Sequence, residues 1–419
     1  MTRPLLRSTH GVLGTLSLLA CHPSKPNQAP EHGPANVSTS DPGCVELAFA
    51  PQLTSTAVFA DEHALLVGGF IHAPPLQPGA YLVKLDDAGA IVWRQDFEYR
   101  FGVSAIIAWK HGYAALLPGS SHTQVLEVSE MGEVSTLVEL AHGADAPLPH
   151  GLLEHKGRLL LAGERARDLW IGELGETGEI ETIMVEDGRG FDDAVVQLLA
   201  VDDELVALAR VGVASGTDYD LVGLDPSETH VISYTDTGAE LGRAILSGRA
   251  ERSTMVGAAM ARGPSGNIIA VGYEGLGDTA EVRAWAASVV GCEVNWLRRW
   301  SEPDPQGQLS AAALVGPDVI LAGHVRTLEG SRRWHVRVDP VTGEVYDEYV
   351  GTEISAVEDG YRAAALGSPH AAWLVGDRRV VGSVSLWACR LTDGAVDRTA
   401  LTPPATSISA AHRVEHHGA

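Results

Sequence analysis

The sequence has few lysines, few aromatic residues and a deficit of positive charge. Only 4 of the 30 basic residues are lysine, 6% of all residues are aromatic, and 54 acidic residues give a net charge of −24. Because an acidic surface repels phosphate backbones, nucleic acid is not expected as a partner. With 45% hydrophobic residues, 46 Gly and 22 Pro in 419 residues, the composition is that of a globular chain rich in turns.

The standard catalytic signatures are absent as well. The chain contains no G-x-S-x-G, H-E-x-x-H, P-loop, C-x-x-C or S-x-x-K motif. The segment HGLLEH (150–155) has one residue too many for the inverted zinc motif, and it falls where a strand should run into a turn. We therefore expect no catalytic residue, no metal site and no cofactor, while the question of catalysis stays open.

The apolar run GVLGTLSLLA (11–20) follows a short basic region and is too short to span a bilayer permanently. It ends in LLAC (18–21), which resembles the lipobox of bacterial lipoproteins. The resemblance implies a signal peptide at 1–20 and an acylated Cys21 that holds the mature chain to the lipid bilayer. The alternative is an ordinary signal peptide followed by an incidental cysteine.

The same resemblance implies a location in the bacterial cell envelope. His22 stands where the family's inner-membrane retention signal would place Asp, which favours an outer-membrane lipoprotein facing the periplasm or the surface. Residues 21–43 are polar and rich in proline, so they are predicted to form a flexible tether. The folded part is predicted to cover 44–403, and 404–419 to be a disordered tail.

A short pattern recurs along the chain. It alternates with period two, most copies begin with an aromatic residue, and turns such as DDAG (86–89) or TDTG (235–238) follow most of them. The copies are YLVKL (81–85), QVLEV (124–128), WIGEL (170–174), HVISY (230–234), WAASV (285–289), WHVRV (334–338) and WACRL (387–391). Another apolar strand, often ending in glycine as in VILAGH (319–324), precedes each copy.

Seven units of about fifty residues, each with four short strands, predict an all-β fold, a seven-bladed β-propeller of four-stranded blades. Six or eight blades, or a pair of β-sandwiches, are the alternatives. The first unit, with Gly68, the KLD of 84–86, Gly89 and Trp93, resembles the repeat of bacterial extracytoplasmic β-propeller proteins. That resemblance implies a periplasmic or surface propeller, and we expect a monomer.

A propeller needs a closure between its two chain ends. The segment 44–51 precedes the first unit and 395–403 ends the last, and pairing them would cover exposed sheet edges. Cys44 and Cys389 would lie near that seam, so a disulfide between them is predicted. Cys292 would then remain as a free thiol.

Arginines concentrate in the segments that join each second strand to its third. Arg offers a planar fork for carboxylate or phosphate groups, so this face is predicted to bind an anionic ligand or an acidic protein partner. The alternative is that these arginines pair with nearby Glu164, Asp168, Glu329 and Asp377. The arginines are Arg165, Arg167, Arg210, Arg283, Arg326, Arg332, Arg333, Arg378 and Arg379.

The longest of these segments is 210–229, and it is predicted to contain a lid or a partner contact around Tyr219 and Asp220.

For the whole chain the sequence favours a lipid-anchored, non-catalytic binding or scaffolding module. Two alternatives remain open: a periplasmic enzyme, quinoprotein-like or a hydrolase, with a site drawn from several blades, and a component of envelope assembly. The D-x-x-T-G turn at 339–343 is the feature shared with quinoprotein propellers, but the adjacent cysteine pair of those enzymes is missing.

Overall fold

The computed structural model describes residues 37–38, 44–47, 53–61, 64–71, 79–86, 90–98, 100–187, 193–212, 227–248, 253–276, 281–300, 306–327, 329–351, 358–368, 371–380 and 383–392. Every regular element within these ranges is a β-strand, and the ranges contain no helix long and apolar enough to cross a membrane.

The strands follow one another with short connections. In the first half they are β1 (Val37–Ser38), β2 (Cys44–Leu47), β3 (Leu53–Ala60), β4 (Ala64–Ile71), β5 (Gly79–Asp86), β6 (Ile91–Glu98), β7 (Ala105–Trp109), β8 (Gly112–Pro118), β9 (His122–Ser129), β10 (Val134–Ala141), β11 (Pro147–His155), β12 (Arg158–Arg165), β13 (Asp168–Leu174) and β14 (Ile180–Glu186). In the second half they are β15 (Ala194–Val201), β16 (Glu204–Gly212), β17 (Ser227–Tyr234), β18 (Glu240–Leu246), β19 (Ser253–Arg262), β20 (Ile268–Leu276), β21 (Val282–Val290), β22 (Glu293–Arg299), β23 (Gln306–Val315), β24 (Asp318–Thr327), β25 (Gly330–Val338), β26 (Val345–Val350), β27 (Glu358–Ser368), β28 (Ala371–Val380) and β29 (Ser383–Thr392).

Consecutive strands pair antiparallel in groups of four. Sheet one contains β3–β6, sheet two β7–β10, sheet three β11–β14, sheet four β15–β18, sheet five β19–β22 and sheet six β23–β26. Sheet seven contains β27, β28 and β29, with β2 as its fourth strand. Sheets four and five are continuous through a single parallel pairing of Ser227 with Thr254.

The recurring sequence pattern marks the third strand of each sheet, as predicted. All seven copies lie within β5, β9, β13, β17, β21, β25 and β29. The aromatic residue that opens most copies is buried, and Trp170, Trp285 and Trp334 are among the largest fully buried side chains in the described residues. The recurring pattern therefore located these strands, although consecutive residues on both of their faces are buried, as Tyr81, Leu82 and Val83 are in β5.

Glycines inside many second strands allow the first strand to approach closely. A Cβ on Gly323 would lie 1.8 Å from the backbone oxygen of Gln308, where β23 carries a β-bulge between Leu309 and Ala311. Only glycine leaves room for a bulged backbone at this distance. The same backbone approach occurs at Gly163, Gly272 and Gly376.

Seven clusters of buried apolar side chains lie between neighbouring sheets within the described residues. One of them joins the last sheet to the first, because Val375 and Leu386 pack with Leu65 and Tyr81. The first strands also make a chain of contacts from β3 through β7, β11, β15, β19 and β23 to β27, and β27 contacts β3. Each sheet thus buries both faces against its neighbours, which is how a repeat protein forms its core.

The N-terminal segment takes part in two sheets. β2 pairs antiparallel with β29, as expected for a closing strand, although the proposed partner segment 395–403 lies outside the described residues. β1 pairs parallel with β26 of sheet six, so a piece of the segment interpreted as a tether adds to a sheet. The signal peptide at 1–20 and the tail at 404–419 also lie outside the described residues.

The cysteines of the sheets are oxidised. The register of β2 and β29 sets Cys44 opposite Cys389, and Cys389 is disulfide-bonded. The bond between these two residues remains a prediction. Cys292, in the turn between β21 and β22, is also disulfide-bonded, so the expectation of a free thiol there is wrong.

Candidate functional site

A polar cleft lies where sheet three faces sheet four, and we call it the sheet-three cleft. Its volume is about 340 Å³. Its lining combines two arginines, a carboxylate, a histidine and small apolar groups: His142, Gly143, Ala144, Ala146, Pro147, Leu148, Glu164, Ala166, Arg167 and Arg210. The cleft therefore contains cationic and anionic side chains together with an aliphatic wall.

The connection between β10 and β11 forms one wall, and side chains below it hold it in place. Nε of Arg165 donates to the backbone oxygen of Asp145 at 3.1 Å. Nε2 of His142 lies 3.0 Å from the hydroxyl of Thr123. Arg165, predicted as a ligand-binding residue, thus lies beside the cleft and supports its wall.

A strained turn forms the second wall. Ala166 and Arg167 join β12 to β13 with φ values of 55° and 73°, in the left-handed region that residues other than glycine seldom adopt. The backbone oxygen of Arg167 accepts a hydrogen bond of 2.9 Å from the amide of Asp193, which fixes the turn against the beginning of sheet four. Strained backbone of this kind clusters at functional sites.

Arg210, on β16 of sheet four, completes the cleft and is exposed. It lies near two other titratable groups. Burial and the charge of Arg210 lower the pKa of His150, so this imidazole is neutral at pH 7. Burial raises the pKa of Tyr273, and Arg210 opposes that rise. The charge of Arg210 therefore acts on His150 of sheet three and on Tyr273 of sheet five.

The other predicted arginines lie elsewhere. Arg332 pairs with Glu329 at 2.8 Å, as the ion-pair alternative expected. Arg333 is 1% exposed and stacks on the Trp387 ring, with its guanidinium carbon 4.1 Å from the ring centroid, so it is not part of an exposed face. Arg326 is exposed on β24.

The remaining predicted arginines are Arg283, Arg378 and Arg379. Arg283 pairs with Glu281 at 3.3 Å. The carboxylate of Asp377 receives a hydrogen bond from Arg362 at 2.9 Å. The side chains of Arg378 and Arg379 lie outside the described part of the chain, as do Tyr219 and Asp220. In the described residues, the structure brings Arg165, Arg167 and Arg210 together at one site.

Three carboxylates lie next to the cleft, although no metal ligand was expected from the sequence. Oxygen atoms of Asp168, Asp187 and Asp193 lie within 4.8 Å of one another. Asp193 also accepts a hydrogen bond of 2.8 Å from the amide of Gly212, which ties the end of β16 to the start of sheet four.

The segment HGLLEH forms most of β11. His150 lies near Arg210, and Nε2 of His155 is hydrogen-bonded to the carboxylate of Asp236 at 2.8 Å.

Comparison with known proteins shows a shared fold but identifies no family. No protein-family model matches the chain, and no curated protein matches it. Among solved structures, a PL25 ulvan lyase is similar with a TM-score of 0.55 and 9% sequence identity, over 82% of this chain and 95% of the lyase. The same lyase bound to -[GlcA(1-4)Rha3S]- gives a TM-score of 0.55 and 10% identity over the same shares of the two chains.

BamB from Moraxella catarrhalis is also similar, with 12% identity over 80% of this chain and 85% of BamB, but its TM-score of 0.43 is too low to bear on function. At these identities the likenesses show the fold alone. The chain has a β-propeller-like repeat fold.

Proposed function

We propose that this chain is a lipid-anchored extracytoplasmic β-propeller of seven four-stranded blades that binds an anionic ligand in the sheet-three cleft without converting it. The contacts from β3 round to β27 and back to β3, and the apolar cluster between sheets seven and one, support closure into a ring. The lipobox-like LLAC (18–21) supports the anchor.

The observation that carries the binding proposal is the placement of Arg210 and Arg167 in one cleft of a chain with a net charge of −24. Arg332 and Arg283 pair with neighbouring carboxylates, whereas within the described residues Arg210 forms no ion pair. A guanidinium group offers paired donors in a plane, which match a carboxylate or a phosphate group. Because Glu164 lines the same cleft and Asp168, Asp187 and Asp193 lie next to it, binding of an anion would depend on direct contact with the guanidinium of Arg210 rather than on a positive field.

Binding is tested with two anions, citrate and inorganic phosphate, by isothermal titration calorimetry. We expect at least one of them to bind the parent protein and Arg210→Gln to weaken that binding about ten-fold, the effect of losing one charge-assisted contact. Arg326→Gln removes an exposed arginine from another sheet and should bind as the parent does. Equal binding by Arg210→Gln, or no binding of either anion by the parent, would contradict the proposal.

The anchor has a chemical signature of its own. We expect the N-terminal peptide of the mature protein to begin at Cys21 and to carry fatty acyl groups, which would tie the propeller to a membrane of a bacterial envelope; His22 in place of Asp favours the outer membrane. Cys292 is disulfide-bonded, and once Cys44 joins Cys389, Cys21 is the remaining one of the four cysteines of the chain that could bond to it. Because an acylated Cys21 has no thiol left, the anchor and a Cys21–Cys292 bond exclude each other, and a peptide map that joins these two cysteines would rule the anchor out.

The group around Arg210 favours a second candidate function, an acid–base enzyme acting on the bound anion. His150 and Tyr273 are the groups near Arg210 that could accept and donate a proton, although burial lowers the pKa of the first and raises the pKa of the second, which makes them a weaker base and a weaker acid. Mass spectrometry of a retained ligand after incubation tests this candidate. A product formed by the parent and not by His150→Gln would support it, and an unchanged ligand would leave the non-catalytic proposal in place.

A further inference from the structure

We infer that the ligand of the sheet-three cleft is an acidic saccharide: a sugar unit that carries a carboxylate together with free hydroxyl groups. This inference rests on the proposed function and adds the chemical class of the ligand. It depends on the mixture of groups in the cleft rather than on its positive charge alone.

The carboxylate of Glu164 is the first reason. Glu164 lines the same cleft as Arg167 and Arg210, and the register of β11 and β12 sets it opposite Leu148. A small inorganic anion held by the two arginines would meet this negative charge nearby. A ligand that carries both an anionic group and hydrogen-bond donors instead offers a complementary group to the arginines and to the carboxylate alike.

Hydroxyl groups are the donors that best fit the remaining lining. Pro147 and Leu148 present aliphatic surface, and Ala144 and Ala146 add small apolar side chains. The C–H face of a pyranose ring packs on such a surface, while its hydroxyl groups reach polar atoms at the edge. A cleft of about 340 Å³ has room for a disaccharide.

The cleft is also arranged in advance of binding. Arg165 holds one wall through the backbone oxygen of Asp145, and the bond from Asp193 to Arg167 holds the other in its left-handed conformation. Fixed walls lower the entropic cost of binding a polar ligand, since fewer groups must be ordered. Saccharides, which gain little from apolar burial, depend on that arrangement.

The test compares two disaccharides that differ in one group, glucuronyl-β-1,4-glucose and the neutral cellobiose, with inorganic phosphate and L-glutamate as further probes. By calorimetry on the full mature chain we expect the uronate to bind at least about ten-fold more tightly than each of the other three. Arg210→Gln should weaken uronate binding by a similar factor. Glu164→Gln should weaken uronate binding by about three-fold or more but leave phosphate binding equal or stronger, since it removes a negative charge.

The outcomes separate the two levels of the proposal. If citrate or phosphate binds through Arg210 but the uronate binds no better than phosphate, or if Glu164→Gln does not weaken the uronate, the saccharide inference is wrong and anion binding stands. Tighter binding of L-glutamate would assign the cleft to amino acids and overturn the inference. If no anion binds, both proposals fail. Glu164→Asp, which keeps the charge on a shorter side chain, provides the variant if Glu164→Gln does not fold.

Discussion

The imidazole of His335 lies between sheets six and seven, on the face of β25 that also carries Arg333 and Arg337. It stacks on Tyr349 with ring centroids 4.9 Å apart and packs at an angle on Tyr361. Burial, together with the charges of Arg337 and Arg333, lowers its pKa to about 3. The folded protein therefore keeps this ring neutral at pH values where an unfolded chain protonates it.

The sign of the resulting pH effect follows from this difference. An unfolded histidine takes up a proton near pH 6.5, whereas folded His335 does so only near pH 3, so stability is fully present above pH 6.5 and falls as the pH drops toward 3. We expect His335→Phe, whose ring stays neutral, to lose about 2 kcal/mol less than the parent between pH 7 and pH 5. Urea unfolding at the two pH values measures this.

Between pH 7 and pH 8 the parent and His335→Phe should change alike, because both rings are then neutral. A parent that loses no more stability than His335→Phe on acidification would show that His335 is protonated in the folded state. The alternation of WHVRV predicted the strand around His335, but not its pKa, because Tyr349 and Tyr361 come from two other strands.

At the scale of elements, several hairpins that follow a third strand pack on the sheet before them. Gly343, in the turn after β25, has a φ of 73°, and a Cβ there would lie 2.7 Å from the Trp296 ring of sheet five. The indole of Trp296 in turn donates to the backbone oxygen of Pro340 at 3.2 Å. Likewise, a Cβ on Gly132, in the turn after β9, would lie 2.8 Å from the ring of Trp93 in sheet one. The late glycine of one unit and the tryptophan of the unit before it thus form one contact between sheets.

This contact is tested with two glycines of similar conformation. Gly157 has a φ of 77°, and a Cβ added there would meet no atom within 4 Å, so Gly157→Ala should cost only the backbone strain, about 1 kcal/mol. Gly343→Ala adds a collision with Trp296, and we expect a total loss of about 2–4 kcal/mol. The difference is read from the midpoints of urea unfolding. Equal losses at the two positions would show that the turn does not depend on Trp296.

Side-chain alternation located the strands well but not their ends. The sequence predicted loops between the second and third strands, yet β12 continues to Arg165 and β13 begins at Asp168, and β24 continues to Thr327 and β25 begins at Gly330. Main-chain pairing continues regardless of whether a side chain is polar, so charged residues such as Arg332 fall within strands. Several predicted loop arginines therefore belong to strand ends.

The sequence predicted the strands better than it predicted the residues of the cleft. The prediction considered only the connections between second and third strands, whereas His142 to Ala146 belong to the connection between two sheets. Connections of both kinds open on the same side of a stack of four-stranded antiparallel sheets. Arg210 stood in the sequence among nine candidate arginines, and no local signal distinguished it, because its neighbours in the cleft come from sheet three.

At the scale of the whole molecule, the proposed closure into a ring would depend on the N-terminal strand. β2 supplies the fourth strand of sheet seven, while β3, which follows it in the chain, begins sheet one. Residues near the two ends of the folded chain therefore share one sheet, and pairing them covers an edge that would otherwise stay open to other chains. Cys44 and Cys389 lie opposite each other in that pairing.

The most direct test of closure is a peptide map of the unreduced protein by mass spectrometry. The account predicts that the peptide containing Cys44 is recovered joined to the peptide containing Cys389, because the pairing of β2 with β29, on which the proposed ring depends, sets these two residues opposite each other. Cys389 joined to a different cysteine, or recovered as a free thiol, would contradict the closing role of β2 and with it the seven-bladed ring.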